Sequence, residues 1–172
     1  MRYRYVIAAL VFVLCGAALG GAERVRTEGG GGAGMAGAST GPAADFSLPD
    51  LDGRQVTLGK FIGKTPVLLV FWATWCPECK AAIPEINALA TGPLAEKLRI
   101  FGLDYREPRE LVARVVKSRG IRYPVLLDAR GQAARAYGVV GIPTYVLIDR
   151  RGNVAYREHV LRGKEIARLL AS

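Results

Sequence analysis

Apolar runs and amphipathic stretches alternate along the chain, and together they predict a layered α/β domain. Residues 67–72 (VLLVFW) are six consecutive apolar residues, which is typical of a central strand covered on both faces. Residues 99–103 and 125–127 are two further short segments that favour strands. Apolar residues recur at helical spacing in residues 77–89 and 109–119, so these stretches are predicted to be helices that connect the strands.

Short paired segments at both ends of this region predict two β-hairpins, because each pair flanks a turn rich in Asp and Gly. A short helix is predicted between them, and a last helix closes the chain. In chain order these elements are strands at 45–48 and 55–58 around the turn 50–53, a helix at 131–137, strands at 144–148 and 154–158 around the turn 149–153, and a helix at 163–170.

The first 44 residues have a different composition from the rest. After Arg2 and Arg4, the chain carries no charge up to Ala22 and has an apolar centre, which is typical of a secretory signal peptide. The run is also just long enough for a membrane helix. Residues 1–22 are therefore expected to be a signal peptide or a membrane anchor, and in both cases the remainder lies outside the cytoplasm. Residues 23–44 are expected to be a flexible Gly-rich linker, and residues 45–172 the folded domain.

The charge of the chain does not point to a nucleic-acid partner. Removing residues 1–22 removes two arginines and no acids, which lowers the formal net charge from +9 to +7. Basic and acidic residues alternate through the remainder, and no block of Lys or Arg is interleaved with aromatic residues. We interpret the excess charge as a solvated basic surface.

Two of the three cysteines, Cys76 and Cys79, lie two residues apart, directly after the predicted central strand. Pro77 suits the first position of a helix, which places the Cys76 sulfur at the positive helix N-terminus. A thiolate is stabilised there, so Cys76 is the predicted nucleophile. Cys79 lies one helical turn further on the same face, where it can resolve a mixed disulfide formed at Cys76.

The residues between the cysteines, Pro77 and Glu78, are predicted to tune this couple. A carboxylate beside the sulfur opposes formation of the thiolate, which favours a reducing couple. Two structural alternatives remain open. A permanent disulfide across two residues would stabilise the fold little, since the gain grows with loop length. A structural zinc site needs four ligands, and His159 is the only histidine in the chain, so no metal or other cofactor is implied.

Two motifs identify the sequence as similar to a known family. The segment FWATWCPEC (71–79) follows an apolar strand, and GVVGIPT (138–144) comes some sixty residues later. Together they resemble the thioredoxin superfamily. The opening DFSLPDLDG (45–53) and the turn LIDRRGN (147–153) are similar to the extracytoplasmic TlpA-like thiol-disulfide oxidoreductases, a redoxin group that includes the cytochrome c maturation reductases. The segment FGLDYRE (101–107) is similar to one in those maturation reductases.

The resemblance implies a thioredoxin-like fold, in which a central mixed sheet is flanked by helices and extended by an N-terminal β-hairpin. It implies that Pro143 is a cis-proline facing the cysteines. Ile142 and Thr144 would then border a surface on which an extended substrate segment binds, and Trp75 would form an apolar contact beside the sulfur.

The chain departs from the family at two positions where relatives carry a buried acid, since Val70 and Ala82 stand there instead. Such an acid can accept the proton of the resolving thiol. Glu85, Asp104 and Glu107 are candidates to replace it, but we interpret all three as solvated surface charges.

The resulting functional hypothesis is disulfide exchange with extracytoplasmic proteins, mainly their reduction. The resemblance implies apocytochrome c as the first substrate to test, and a membrane electron donor for re-reduction. One alternative is a peroxiredoxin-like thiol peroxidase, although such enzymes carry Thr or Ser three residues before the reactive cysteine and Ala73 stands there. The other is a copper(I)-binding metallochaperone that uses the two cysteines and His159.

Overall fold

A mixed five-stranded sheet runs through the protein, and helices cover it. The computed structural model describes residues 41–171. In chain order the elements are β1 (Ser47–Pro49), β2 (Gln55–Thr57), a short 3-10 helix (Leu58–Lys60), β3 (Val67–Trp72), α1 (Pro77–Thr91), β4 (Arg99–Tyr105), α2 (Arg109–Arg119), β5 (Val125–Asp128), α3 (Gln132–Ala136), β6 (Thr144–Ile148), β7 (Val154–Glu158) and α4 (Gly163–Ala171).

The predictions for the N-terminus lie mostly outside the described residues. This holds for the signal peptide or anchor at residues 1–22 and for all but the last four residues of the linker at 23–44. Within residues 41–171, none of the helices combines the length and the apolar character needed to cross a bilayer. The end of the linker contacts the domain, because the N–H of Ala43 donates to the carbonyl of Gly152 at 2.8 Å.

The strand order β5–β4–β3–β6–β7 places β3 at the centre of the sheet. β3 is parallel to β4 and antiparallel to β6. Because of these directions, the carboxyl ends of β3 and β4 and the amino end of β6 meet at one edge of the sheet. The separate pair β1–β2 forms the N-terminal hairpin. This arrangement confirms the predicted α/β fold, a mixed sheet flanked by helices and extended by an N-terminal hairpin.

All six residues of β3 are at most 2% exposed, as the uninterrupted apolar run predicts. Alternate side chains of β3 enter two separate cores. Val70 and Trp72 pack into one core with Ile86 of α1, Ile166 of α4 and both cysteines. The other core lies on the opposite face of the sheet, where Leu69 and Phe71 of β3 pack with Phe46, Leu126 and Tyr137.

Candidate active site

Cys76 lies where the chain leaves the sheet and enters α1. Its backbone is extended (φ −81°, ψ 114°), and Pro77 occupies the first helical position. The backbone N–H of Cys79 donates a hydrogen bond to the sulfur of Cys76 at 3.1 Å. The sulfur therefore caps the helix in the way that a Ser or Asp oxygen commonly does. This geometry places the sulfur against the unpaired N–H groups and the positive end of the helix dipole.

Cys76 and Cys79 are joined by a disulfide, and their Cα atoms are 5.3 Å apart. Both residues are nearly buried, with 2% and 4% of their surface exposed. The Oε2 atom of Glu78 lies 3.9 Å from the Cys76 sulfur. In the reduced protein, a carboxylate at this distance would oppose the negative charge of a Cys76 thiolate.

The loop before β6 reaches the same edge of the sheet as the cysteines. Its Ile142–Pro143 peptide bond is cis. Thr144, the next residue, pairs with Phe71 near the carboxyl end of β3. Ile142 packs against the core that contains both cysteines. The structure thus brings together the two motifs that the sequence separates by some sixty residues.

His159 connects this loop to the end of β7. Its Nδ1 atom lies 2.8 Å from the carbonyl oxygen of Pro143 and 3.2 Å from Oγ1 of Thr144. The Thr144 hydroxyl lies 2.6 Å from the Gly141 carbonyl oxygen, to which it donates. Because a carbonyl oxygen can only accept, Nδ1 of His159 carries the proton of its bond to Pro143. The sequence gives no signal for this contact, and His159 is otherwise exposed.

Three large apolar side chains are exposed on the segments that meet at this edge. Among the described residues, the exposed large hydrophobic side chains are Trp75, Val140 and Val160, with exposed fractions of 63%, 92% and 61%. Trp75 precedes Cys76, Val140 belongs to the loop that ends in Pro143, and Val160 follows the histidine that bonds this loop. We call these three side chains the apolar rim. Exposed apolar groups that collect at one place commonly mark a binding surface.

Asp104, near the end of β4, and Glu107, just after it, are two acidic residues that the sequence predicts to be solvated. Asp104 is completely buried and Glu107 is half-buried, so that interpretation is wrong for both. It holds for Glu85, which is exposed on α1. The carboxylate of Glu107 accepts the backbone N–H of Thr74 at 2.5 Å and the Thr74 hydroxyl at 2.6 Å. Glu107 therefore holds the loop that leads from β3 to Cys76.

Burial raises the pKa of Asp104 to about 8, and the neighbouring Glu107 adds to this shift. The carboxyl is consequently protonated at neutral pH in most molecules. Within residues 41–171, no group of three or more His, Cys, Asp or Glu side chains is arranged to hold a metal ion.

Comparison with known proteins identifies the family. The profile of the AhpC/TSA family matches residues 40–157, which is more than half of the chain and includes both cysteines and Pro143. The chain belongs to the AhpC/TSA family. The chain is also a TlpA-like member of the thioredoxin superfamily, which confirms the resemblance seen in the sequence motifs.

Several relatives of this AhpC/TSA protein are disulfide-exchange proteins. The thiol-disulfide oxidoreductases ResA of Bacillus thuringiensis subsp. konkukian and of Geobacillus thermodenitrificans are each 37% identical over 112 residues. These matches cover 65% of this chain and 64% of each relative, so the chain spans somewhat less than two thirds of their length. The crystal structure of a thioredoxin family thiol:disulfide interchange protein from Chlorobium tepidum is 29% identical, with a TM-score of 0.65 over 76% of this chain and 93% of that one.

Proposed function

We propose that the protein is a thiol-disulfide oxidoreductase that mainly reduces disulfides of other extracytoplasmic proteins. The observation that carries this proposal is the Cys76–Cys79 pair at the start of α1, where the Cys79 N–H bonds to the Cys76 sulfur. A sulfur at this position is stabilised as a thiolate, and its partner is already within bonding distance. The relatives named as thiol-disulfide oxidoreductases support the same class of reaction.

The reaction begins from the reduced protein. The Cys76 thiolate attacks one sulfur of a substrate disulfide, a new S–S bond forms, and the other substrate sulfur leaves as a thiolate. Cys79 then loses its proton and attacks Cys76, which breaks the mixed disulfide and releases the second substrate sulfur. The substrate has gained two electrons, and the protein is left with the Cys76–Cys79 disulfide seen in the structure.

A polypeptide substrate fits the surroundings of the disulfide. We propose that an extended segment pairs with the backbone at Ile142, beside the cis-proline and Thr144. The apolar rim would contact apolar side chains of that segment, which are accessible in unfolded chains. His159 would stabilise the loop in this conformation through its bond to the Pro143 carbonyl.

The cellular setting of this reaction follows from the N-terminal segment. Residues 1–22, as a signal peptide or anchor, would place the domain in the periplasm or on the outer face of the inner membrane. We propose apocytochrome c as the substrate to test first, because its haem-attachment thiols must be reduced. Re-reduction of Cys76 and Cys79 would require a membrane electron donor.

Trapping of the mixed disulfide tests the proposal. The Cys79→Ala variant cannot complete the second step, so substrate proteins should stay attached to Cys76 and be released by dithiothreitol. The matched control is Cys76→Ala, which keeps Cys79 but should collect no adducts. Recovery of apocytochrome c from Cys79→Ala cells would identify the substrate, while a variant that traps no more protein than the control would contradict disulfide exchange.

Peroxide consumption by the wild-type protein distinguishes the proposed disulfide exchange from the peroxidase alternative. Thr74 is the hydroxyl residue nearest in sequence before Cys76, but its hydroxyl is bonded to Glu107 at 2.6 Å. We therefore expect no peroxide consumption above the rate of a free thiol. For the copper alternative, no group of three or more His, Cys, Asp or Glu side chains within residues 41–171, which include His159 and both cysteines, is arranged to hold a metal ion. Titration of the reduced protein with copper(I) should show no site that depends on His159.

A further inference from the structure

Asp104 is a buried carboxyl group whose position the fold alone does not explain. It is 0% exposed, and its Oδ1 accepts the N–H of Glu107 at 3.2 Å. Its Oδ2 accepts no hydrogen bond from the described residues, and a hydrogen bond between the carboxyls of Asp104 and Glu107 raises the pKa of Asp104. Unpartnered buried carboxyl groups are rare because desolvation is costly. Asp128, the other buried aspartate of residues 41–171, accepts three N–H groups at the start of α3 and so has a structural role.

The unpartnered oxygen lies on the face of the sheet that carries the cysteines. Asp104 is the direct neighbour of Trp72, the last residue of β3, and paired residues of adjacent strands point to the same face. Trp72 packs in the same core as Cys76 and Cys79. Its indole Nε1 is also buried and has no hydrogen-bond partner in the part of the chain that the structure describes. A water molecule bonded to both groups would satisfy the indole N–H and the Asp104 oxygen together.

A chain of hydrogen bonds links Asp104 to the cysteine loop. Glu107 donates its backbone N–H to Asp104, and its carboxylate accepts two hydrogen bonds from Thr74, two residues before Cys76. The cysteine loop and the buried carboxyl are therefore held in a fixed relation to each other.

We infer that Asp104 is the acid–base group of the cysteine couple, which accepts the Cys79 proton through a bridging water while Cys79 resolves the mixed disulfide. This inference rests on the proposed function. The S–H bond of Cys79 breaks and its proton moves to Asp104 Oδ2. The freed sulfur forms the bond to Cys76, and the electron pair of the old S–S bond leaves with the substrate sulfur, which takes its own proton from solvent. Asp104 later returns its proton to solvent.

The environment suits Asp104 to this task. With a pKa of about 8, Asp104 is ionised in a minority of molecules at neutral pH, and in these it can accept the Cys79 proton. A catalytic group whose pKa lies near the working pH exchanges protons most effectively. The buried tyrosines of the same core stay neutral, since burial raises the pKa of Tyr145 to about 12 and that of Tyr123 also upward. The charged side chains of α2 are exposed. The carboxyls of Glu107 and Asp128 both raise the pKa of Asp104. Cys76, the N-cap of α1, and Cys79 in its first turn belong to the core on the same face of the sheet as Asp104.

Stopped-flow reaction of the reduced protein with the aromatic disulfide DTNB separates the two steps. One coloured thiolate is released when Cys76 attacks, and a second when Cys79 resolves the adduct. In Asp104→Asn at neutral pH, the first phase should keep its wild-type rate and the second should slow by about 100-fold. The wild-type second phase should rise with pH and level off near the pKa of Asp104 at about 8, whereas that of Asp104→Asn should continue to rise.

Two further variants keep this test decisive. Glu110→Gln removes an exposed carboxyl of α2 and should leave both phases at wild-type rates. Glu107→Gln keeps Asp104 but removes a neighbouring charge, so the levelling of the second phase should move to lower pH even if Asp104→Asn does not fold. An unchanged pH profile in both Asp104→Asn and Glu107→Gln would overturn the role of Asp104 alone. A wild-type protein that never releases the second thiolate would instead contradict the proposed function.

Discussion

Replacing Asp104 with asparagine should raise the free energy of unfolding, and should raise it more at neutral than at acidic pH. Asparagine keeps the size of the side chain and the oxygen that accepts the Glu107 N–H, but it cannot ionise. Burial and the neighbouring Glu107 raise the pKa of Asp104 from 3.8 to about 8 in the folded protein. Folding at neutral pH therefore requires Asp104 to take up a proton that the unfolded chain does not hold.

The size of this change in the free energy of unfolding follows from the difference between the pKa values of Asp104 in the folded and unfolded states. Between about pH 5 and pH 7 the folded carboxyl is protonated and the unfolded one is ionised. Because the folded state binds more protons, the unfolding free energy of the wild type falls as the pH rises through this window, until the pH passes the folded pKa. Each pH unit corresponds to about 1.4 kcal/mol, so the stability gap between Asp104→Asn and the wild type should widen by about 3 kcal/mol over the window of two units.

Urea unfolding of the oxidised proteins, followed by tryptophan fluorescence, measures this change. With a denaturant slope of about 1–3 kcal/mol/M, the difference between the two midpoints should widen by about 1–3 M from pH 5 to pH 7. Glu110→Gln is the control, because this α2 side chain is exposed and its replacement should give the same small difference at both pH values. If the gap between Asp104→Asn and the wild type is also the same at both, Asp104 is not protonated in the fold and the reasoning fails.

Three further substitutions test contacts around the site. Gly102→Ala should lower the unfolding free energy by about 1–3 kcal/mol in urea unfolding, because the added methyl would lie 3.0 Å from a buried tyrosine ring. Glu107→Ala should cost about 1–2 kcal/mol in the same assay, since the two donors of Thr74 lose their acceptor. His159→Ala removes the hydrogen bond to Pro143 and should raise KM for a disulfide-bonded polypeptide about 2- to 10-fold, with no change for DTNB.

Each of these substitutions has a matched control. Gly141→Ala has no neighbour closer than 3.8 Å and should leave stability nearly unchanged; an equal loss from both glycine variants would contradict the packing argument. Glu110→Ala is the surface control for Glu107→Ala, and equal stabilities of these two variants would mean that the bonds to Thr74 contribute nothing. His159→Asn can restore a donor, so it should recover part of the lost affinity. A KM that changes equally for DTNB would instead indicate damage at the cysteines.

The elements of the fold were predictable because their signals are local. The six apolar residues of β3 identify a buried central strand without knowledge of its neighbours. Asp149 marks the second hairpin, and in the structure its Oδ1 accepts the N–H groups of Arg151 and Asn153. Pro77 after Cys76 likewise marks the start of α1, and the structure begins the helix at this residue.

The environment of the cysteines was less predictable because it depends on contacts between distant segments. The predicted fourth strand ended at Leu103, which left Asp104 in a loop, but β4 continues to Tyr105. The alternation of Ile100, Gly102 and Asp104 on one face was the available signal for a buried acid. Nothing local indicates that His159 bonds the Pro143 carbonyl, because the two residues are brought together only by the pairing of β6 with β7.

The helix cap at Cys76 gives one atom two roles, since the sulfur that changes oxidation state also accepts the N–H of Cys79. Oxidation, reduction and folding therefore form a closed thermodynamic cycle. The difference in folding free energy between the dithiol and disulfide forms must equal the shift of the folded couple's reduction potential from that of the unfolded chain, at about 30 mV for each 1.4 kcal/mol. A substitution in the first turn of α1, such as one at Glu78, thus alters redox poise to the extent that it favours one form of the helix over the other. Selection for reducing power and selection for conformational stability therefore affect the same residues, those of the first turn of α1.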